Sequence, residues 1–122
     1  METPKIFACE YKLAELVWDR EPLSVKELTV LAEKELSWKR TTAYTQLKRL
    51  CERGILKNED GVVTSLVGRD AVRISEGREL LNRMFSGSLA DMVQAFTGGK
   101  AITKEEADEI RKLIDRYAEA GK

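Results

Sequence analysis

The stretch from Trp38 to Leu56, WKRTTAYTQLKRLCERGIL, constrains the fold more than any other, because its apolar residues recur with helical period. Ala43, Leu47, Leu50 and Cys51 stand three and four positions apart, which places them on one side of a helix, facing a core. The other side carries Lys39, Arg40, Thr41, Tyr44, Thr45 and Lys48: cations, hydroxyls and an aromatic, with no acid among them. Such a surface suits a DNA groove, where phosphates take cations and base edges take hydrogen bonds and methyl contacts. Gly54, directly after Arg53, is a helix stop, since glycine adopts the left-handed conformation at little steric cost. Ile55 to Glu59 and Val62 to Val67 then read as two short strands joined by Asp60-Gly61, a dipeptide that tolerates the positive backbone angles of a tight hairpin. A helix handing over to a hairpin predicts a winged helix.

The preceding residues supply the rest of that module. A first helix is expected from about Phe7 to Arg20, with Tyr11, Leu13, Ala14, Leu16, Val17 and Trp18 as its apolar face, and Pro22 prevents its continuation. Leu23 is placed as a minimal first strand. Ser24 with Glu27 has the spacing of a capping box and opens a second helix, whose Val25, Leu28, Leu31 and Ala32 share a face and which ends near Leu36. Ser37 is read as the N-cap of the helix that follows after a short turn.

Three more helices are expected after the hairpin. Gly68 to Asp70 opens one carrying Ala71, Ile74, Leu80, Leu81, Met84 and Phe85, with Gly77 weakening its middle. Ser88 with Asp91 caps a second, in which Leu89, Met92, Val93 and Phe96 repeat at i, i+3, i+4 and i+7. Beyond a loop at Thr97 to Lys100, Thr103 with Glu106 caps a third, with Ala107, Ile110, Leu113, Ile114 and Tyr117 as its stripe. Three helices are too few to enclose a core of their own, so these stripes are expected to pack against a second copy. A dimer also fits the mechanics of DNA reading, because two recognition helices roughly 34 to 36 Å apart reach two half-sites of a palindrome. The fold class is therefore mainly α, a winged helix-turn-helix at 1–68 with a helical dimerisation region at 69–122.

Charge decides where a nucleic acid could bind. The 122 residues include 21 basic and 21 acidic ones, so the whole molecule has no field to attract DNA. From Trp38 to Lys57, however, six cations (Lys39, Arg40, Lys48, Arg49, Arg53, Lys57) face one acid, Glu52, a balance of plus five. Arg40, Thr41, Tyr44 and Thr45 are assigned to the groove, and Lys39, Lys48 and Arg49 to phosphates. The plainer alternative is a solvated helix face, since about a quarter of residues in soluble proteins are charged. Tyr44 could also fold back over the helix, while Trp18 and Trp38 are read as core aromatics.

Other classes of function fare badly. Histidine is absent, which removes the commonest general base and metal ligand, and no glycine-rich phosphate loop or nucleophile elbow occurs. No enzyme activity, cofactor or metal is expected. The acids Glu105, Glu106, Asp108 and Glu109 fall in the first turns of a helix, where negative charge favours the dipole. Cys9 and Cys51 lack a CxxC spacing and are expected to be reduced and buried. No apolar run approaches the roughly 20 residues that span a bilayer, and METPKIFACEYK lacks a signal core, so no membrane insertion and a cytoplasmic location are expected.

Several of these residues together carry a resemblance: Glu10 with the helix ending in Trp18, VKEL at Val25 to Leu28, then Trp38, Thr42, Thr45, Leu47, Arg49, Leu50 and Gly54. Over nearly its whole length the chain resembles the penicillinase repressor and methicillin-resistance regulator family of bacterial winged-helix repressors. FSGSLADMVQAF and ITKEEADEIRKLI resemble that family's dimerisation helices. The resemblance implies a homodimer on a palindromic double-stranded DNA operator, repressing a beta-lactamase or resistance-type operon, with Thr42 among the DNA-binding residues. It further implies relief through cleavage by a membrane sensor metalloprotease, between Ala95 and Phe96, which would remove bivalency without altering the DNA surface. The family's cleaved bond usually follows an asparagine, where this chain has Ala95. The wing also departs from the family's basic and aromatic pattern, since NEDGVVTSLV places Glu59 and Asp60 at its tip, and its contact to phosphate is expected to be weak. The cysteine-rich tail of a related copper-responsive branch has no counterpart in AEAGK, so copper sensing through that motif is not expected. The competing class is a winged helix that binds protein and does not bind DNA specifically, for which the acidic wing and zero net charge speak.

Overall fold

The structure, a computed structural model, describes residues 3–98 and 101–120. Gly99 and Lys100 of the expected loop, and Gly121 and Lys122 of the AEAGK end, lie outside the described residues. The elements in chain order are α1 (Ala8–Arg20), β1 (Leu23–Ser24), α2 (Val25–Leu36), α3 (Arg40–Glu52), β2 (Leu56–Glu59), β3 (Val62–Ser65), α4 (Arg69–Phe85), α5 (Leu89–Thr97) and α6 (Lys104–Ala120). They fall into two compact units, Met1–Leu80 and Leu81–Lys122.

The first unit is a winged helix. β3 lies between β1 and β2 in an antiparallel sheet, with Leu23 opposite Val63 on one side and Asn58 opposite Val63 on the other. Asp60 (φ 53°) and Gly61 (φ 83°) both take the left-handed region that the two-residue turn demands. The Asn58 side-chain oxygen accepts from the Gly61 N–H at 3.0 Å, and the Val25 N–H donates to the Gly61 carbonyl at 2.9 Å, tying the wing tip to the start of α2. The Ser24–Glu27 capping box forms in both directions: Ser24 Oγ accepts from the Glu27 N–H at 3.0 Å and Glu27 Oε1 from the Ser24 N–H at 3.2 Å.

One core serves all the elements of this unit. Leu13, Ala14, Leu16 and Val17 of α1 meet Leu28 and Ala32 of α2 and Ala43, Leu47 and Leu50 of α3, with Leu23, Ile55, Leu56 and Val63 from the sheet region. Val72 of α4 is fully buried in the same cluster, which is why the compact unit carries the first turns of that helix with it. Trp18 and Trp38 pack against the core while partly exposed, and the Trp18 indole N–H donates to the Val67 carbonyl at 3.0 Å. Arg69 lies 5.6 Å from the Trp18 ring centroid and pairs with Asp19, which raises the affinity of the guanidinium for its proton.

Two expectations are corrected here. Ser37 is not the N-cap of α3: it closes α2 in the left-handed conformation (φ 58°), its N–H bonded back to Glu33, and Lys39 occupies the α3 cap with no side-chain cap bond. Cys9 is exposed rather than buried, because the buried side of α1 runs through Glu10, Leu13, Ala14 and Val17 and leaves Cys9 off it; Cys51 is half-buried, and both thiols are free.

In the second unit Ser88 Oγ accepts from the Asp91 N–H at 3.1 Å and Thr103 Oγ1 from the Glu106 N–H at 3.1 Å, as their spacing predicts. Phe85 and Phe96 meet edge to face with centroids 6.1 Å apart. No described residue of this unit is buried, although Leu89, Val93, Phe96, Leu113, Ile114 and Tyr117 present large apolar side chains to solvent. Met92 and Ile110 are half-buried.

Candidate nucleic-acid interface

α3 is held by its buried stripe of Ala43, Leu47 and Leu50, and the geometry of a helix then turns its remaining faces outward. Lys39, Arg40, Thr41, Thr42, Tyr44, Thr45, Lys48 and Arg49 are all exposed. Tyr44 keeps 46% of its surface in solvent. The Thr45 hydroxyl donates to the Thr41 carbonyl at 2.9 Å, which commits its proton and leaves the oxygen able to accept.

The cations of the segment divide into two sets. Arg53 holds its Nε 2.8 Å from Oε1 of buried Glu10, and Lys57 pairs with Glu59 at 2.9 Å, so neither is free for phosphate. Among the described residues Lys39, Arg40, Lys48 and Arg49 make no ion pair, and the usable positive charge is theirs. Glu52 is exposed and continues the row Thr41, Thr45, Lys48, so the acid-free surface is confined to the earlier turns of α3.

Sequence reasoning passes over Gln46. It lines a shallow cleft with Thr41, Thr42 and Thr45, and its side-chain carbonyl is shielded from solvent without a hydrogen-bond partner. Its position four residues after Thr42 is the signal that could have found it. At the far end of α3, burial pushes the Cys51 thiol up from its ordinary range, with a backbone hydrogen bond from Asn58 opposing and Glu52 adding to the rise. The wing beside it bears Glu59 and Asp60, both exposed.

Among the described residues no helix is long and apolar enough to cross a membrane. A family model described as penicillinase repressor matches residues 6–116. The penicillinase repressor of Bacillus licheniformis is 24% identical over 118 residues, covering 93% of this chain and 92% of that protein. The penicillinase repressor of Staphylococcus aureus is 20% identical over 115 residues, covering 91% of each. The methicillin resistance regulatory protein MecI of Staphylococcus aureus is 18% identical over 119 residues, covering 94% of this chain and 97% of that protein. Among solved structures, the DNA-binding domain of the repressor BlaI matches with a TM-score of 0.51 at 24% identity, covering 58% of this chain and 93% of that one, a likeness of fold.

Proposed function

Since the chain belongs to the penicillinase repressor family, a family of transcriptional repressors and not of enzymes, we propose that it is a homodimer that seats α3 in the major groove of each half of a palindromic operator. The observation that carries this proposal is the exposed, unpaired cationic and hydroxyl surface on the first turns of α3, set on a helix whose other face is locked in the core. Arg40, Thr41, Thr42, Tyr44 and Thr45 read base edges, where arginine matches guanine and a threonine methyl meets thymine. Lys39, Lys48 and Arg49 hold phosphates and fix the register. Residues 1–68 form the reading module and 69–122 the pairing region.

Pairing uses Leu89, Met92, Val93 and Phe96 of α5 with Ile110, Leu113, Ile114 and Tyr117 of α6, apolar stripes that a single chain leaves open. Two linked half-site contacts bind far more tightly than one, so a protease that cuts between Ala95 and Phe96, both exposed, would release the operator without touching α3. The target is a beta-lactamase or resistance-type operon. One observation favours a second function, binding of a protein: the acidic wing tip, which suits a basic partner better than a phosphate backbone.

Titration into a duplex of the chain's own upstream region at two salt concentrations tests the proposal. Arg40→Ala should cost about 1–3 kcal/mol and relax specificity, and Lys48→Ala should lower the slope of log affinity against log salt by about 1. Absence of any salt-dependent DNA binding would favour the protein-binding function.

A further inference from the structure

We propose that Gln46 is a base-reading residue, and that the shallow cleft it lines with Thr41, Thr42 and Thr45 takes the edge of a thymine; this rests on the seating of α3 in the major groove proposed above. Gln46 stands three positions after Ala43 and four before Leu50, half-buried at the border of the stripe that α3 turns to the core. Its two amide ends meet different surroundings. The carbonyl oxygen is closed to solvent, the NH2 group is not, and neither has a hydrogen-bond partner among the described residues. A shielded carbonyl without a donor costs stability, so the fold gains nothing from this amide that an apolar side chain of equal length would not give. What Gln46 offers a partner is N–H donors and no acceptor.

That asymmetry decides among the four bases. Glutamine ordinarily grips adenine with both amide ends, accepting from N6 and donating to N7. With the oxygen closed off, that pairing is lost. Cytosine presents only its N4 donor in the major groove and has nothing for an N–H. Guanine and thymine both present acceptors, and the threonines separate them, because only thymine carries a methyl group beside its acceptor and threonine methyls make apolar contact with it. The threonine hydroxyls do not discriminate in this way: a free hydroxyl rotates to donate or to accept, and the Thr45 proton is already committed to the Thr41 carbonyl. Thymine O4 therefore takes the Gln46 N–H while its methyl lies among the threonines, in a cleft of about 220 Å³.

The full chain is first used to select duplexes from a randomised pool, beside Gln46→Met, which keeps the length of the side chain and removes its donors. The wild type should fix a thymine at a position of each half-site where Gln46→Met accepts other bases, with the remaining positions unchanged. That thymine is then replaced by uracil, which lacks the methyl, or by 5-methylcytosine paired with guanine, which keeps the methyl and turns the acceptor into a donor. Wild-type affinity should fall about fourfold with uracil, for one lost methyl contact, and about tenfold or more with 5-methylcytosine. Gln46→Met should keep the loss with uracil and shed most of the penalty for 5-methylcytosine. Its midpoint in urea should be no lower than that of the wild type, which a structural role for the amide would not allow. A pool from which the wild type enriches no sequence overturns the seating of α3 and this role together. Enrichment of one sequence by wild type and variant alike, a base other than thymine at the position that depends on Gln46, or an equal penalty for 5-methylcytosine in both proteins overturns the role of Gln46 alone.

Discussion

Arg53, the residue that closes α3, holds its Nε 2.8 Å from Oε1 of Glu10, a carboxylate whose side chain is only 2% exposed on α1. The same oxygen accepts from the Phe7 N–H at 3.2 Å, and the Arg53 guanidinium lies 4.5 Å from the Phe7 ring centroid. One acid thus fixes both the start of α1 and the end of α3. Removing it as Glu10→Ala leaves a partly buried cation and an orphaned amide, and should destabilise the winged unit by about 2 kcal/mol, discounted from the fully buried case because Arg53 keeps about a third of its side chain in solvent. Urea denaturation measures this. Glu10→Gln keeps an acceptor for Phe7 and should lose less; equal stability of Glu10→Ala and the wild type would remove the clamp from the account.

That clamp illustrates what the amino-acid sequence conceals. Local signals were legible: the Ser24–Glu27 spacing fixes a helix start, Asp60-Gly61 fixes a turn, and the period of Ala43, Leu47 and Leu50 fixes which side of α3 is buried. Pairings between distant positions carry no such period. Counting six cations from Trp38 to Lys57 therefore overstated the charge available to DNA, because Glu10 claims Arg53 and Glu59 claims Lys57. Ser37 misled for a different reason: serine caps helix starts, but here its left-handed backbone serves the end of α2, where an asparagine or glycine is the commoner choice. The expected burial of Cys9 fails because the neighbouring Glu10, held by its ion pair, takes the buried side of α1.

The two thiols should react in a fixed order. Cys9 is exposed, whereas burial raises the Cys51 thiol above its ordinary range, so at a given pH less of Cys51 is the reactive thiolate. Alkylation at about pH 8, read by peptide mass, should modify Cys9 first, with Cys51 catching up only as the pH rises further. The sign for stability follows: a raised folded pKa contributes fully below the unfolded thiol value and is lost as pH rises through the folded one. Faster modification of Cys51 would show that α3 frays at its end.

The proposed dimer predicts a surface substitution with a large effect. Leu113 is 42% exposed in the single chain, so Leu113→Glu costs the isolated fold little. In a dimer it buries a charge in the apolar contact between α6 stripes, which is expensive without a partner. Light scattering should show monomers in place of dimers, and operator affinity should fall by about 10² or more through lost bivalency. A variant that stays dimeric places the contact elsewhere.

The wing permits a test in the opposite direction, a gain. Lys57 is neutralised by Glu59 at 2.9 Å and Asp60 adds a second negative charge at the tip, so the three groups together sum to minus one. Glu59→Gln with Asp60→Asn releases Lys57 and turns that sum to plus one. Asparagine tolerates the left-handed backbone at position 60, and the Asn58 to Gly61 hydrogen bond is untouched, so the hairpin should persist. If the wing lies beside the DNA backbone, affinity for operator and for random duplex should rise together, several-fold at low salt. The slope of log affinity against log salt should steepen by about 0.9 for a newly engaged phosphate. Equal binding and an unchanged slope would mean that the wing stands clear of the backbone and that α3 alone carries the contact. That outcome would free the native acidic tip for the basic protein partner its charge suits.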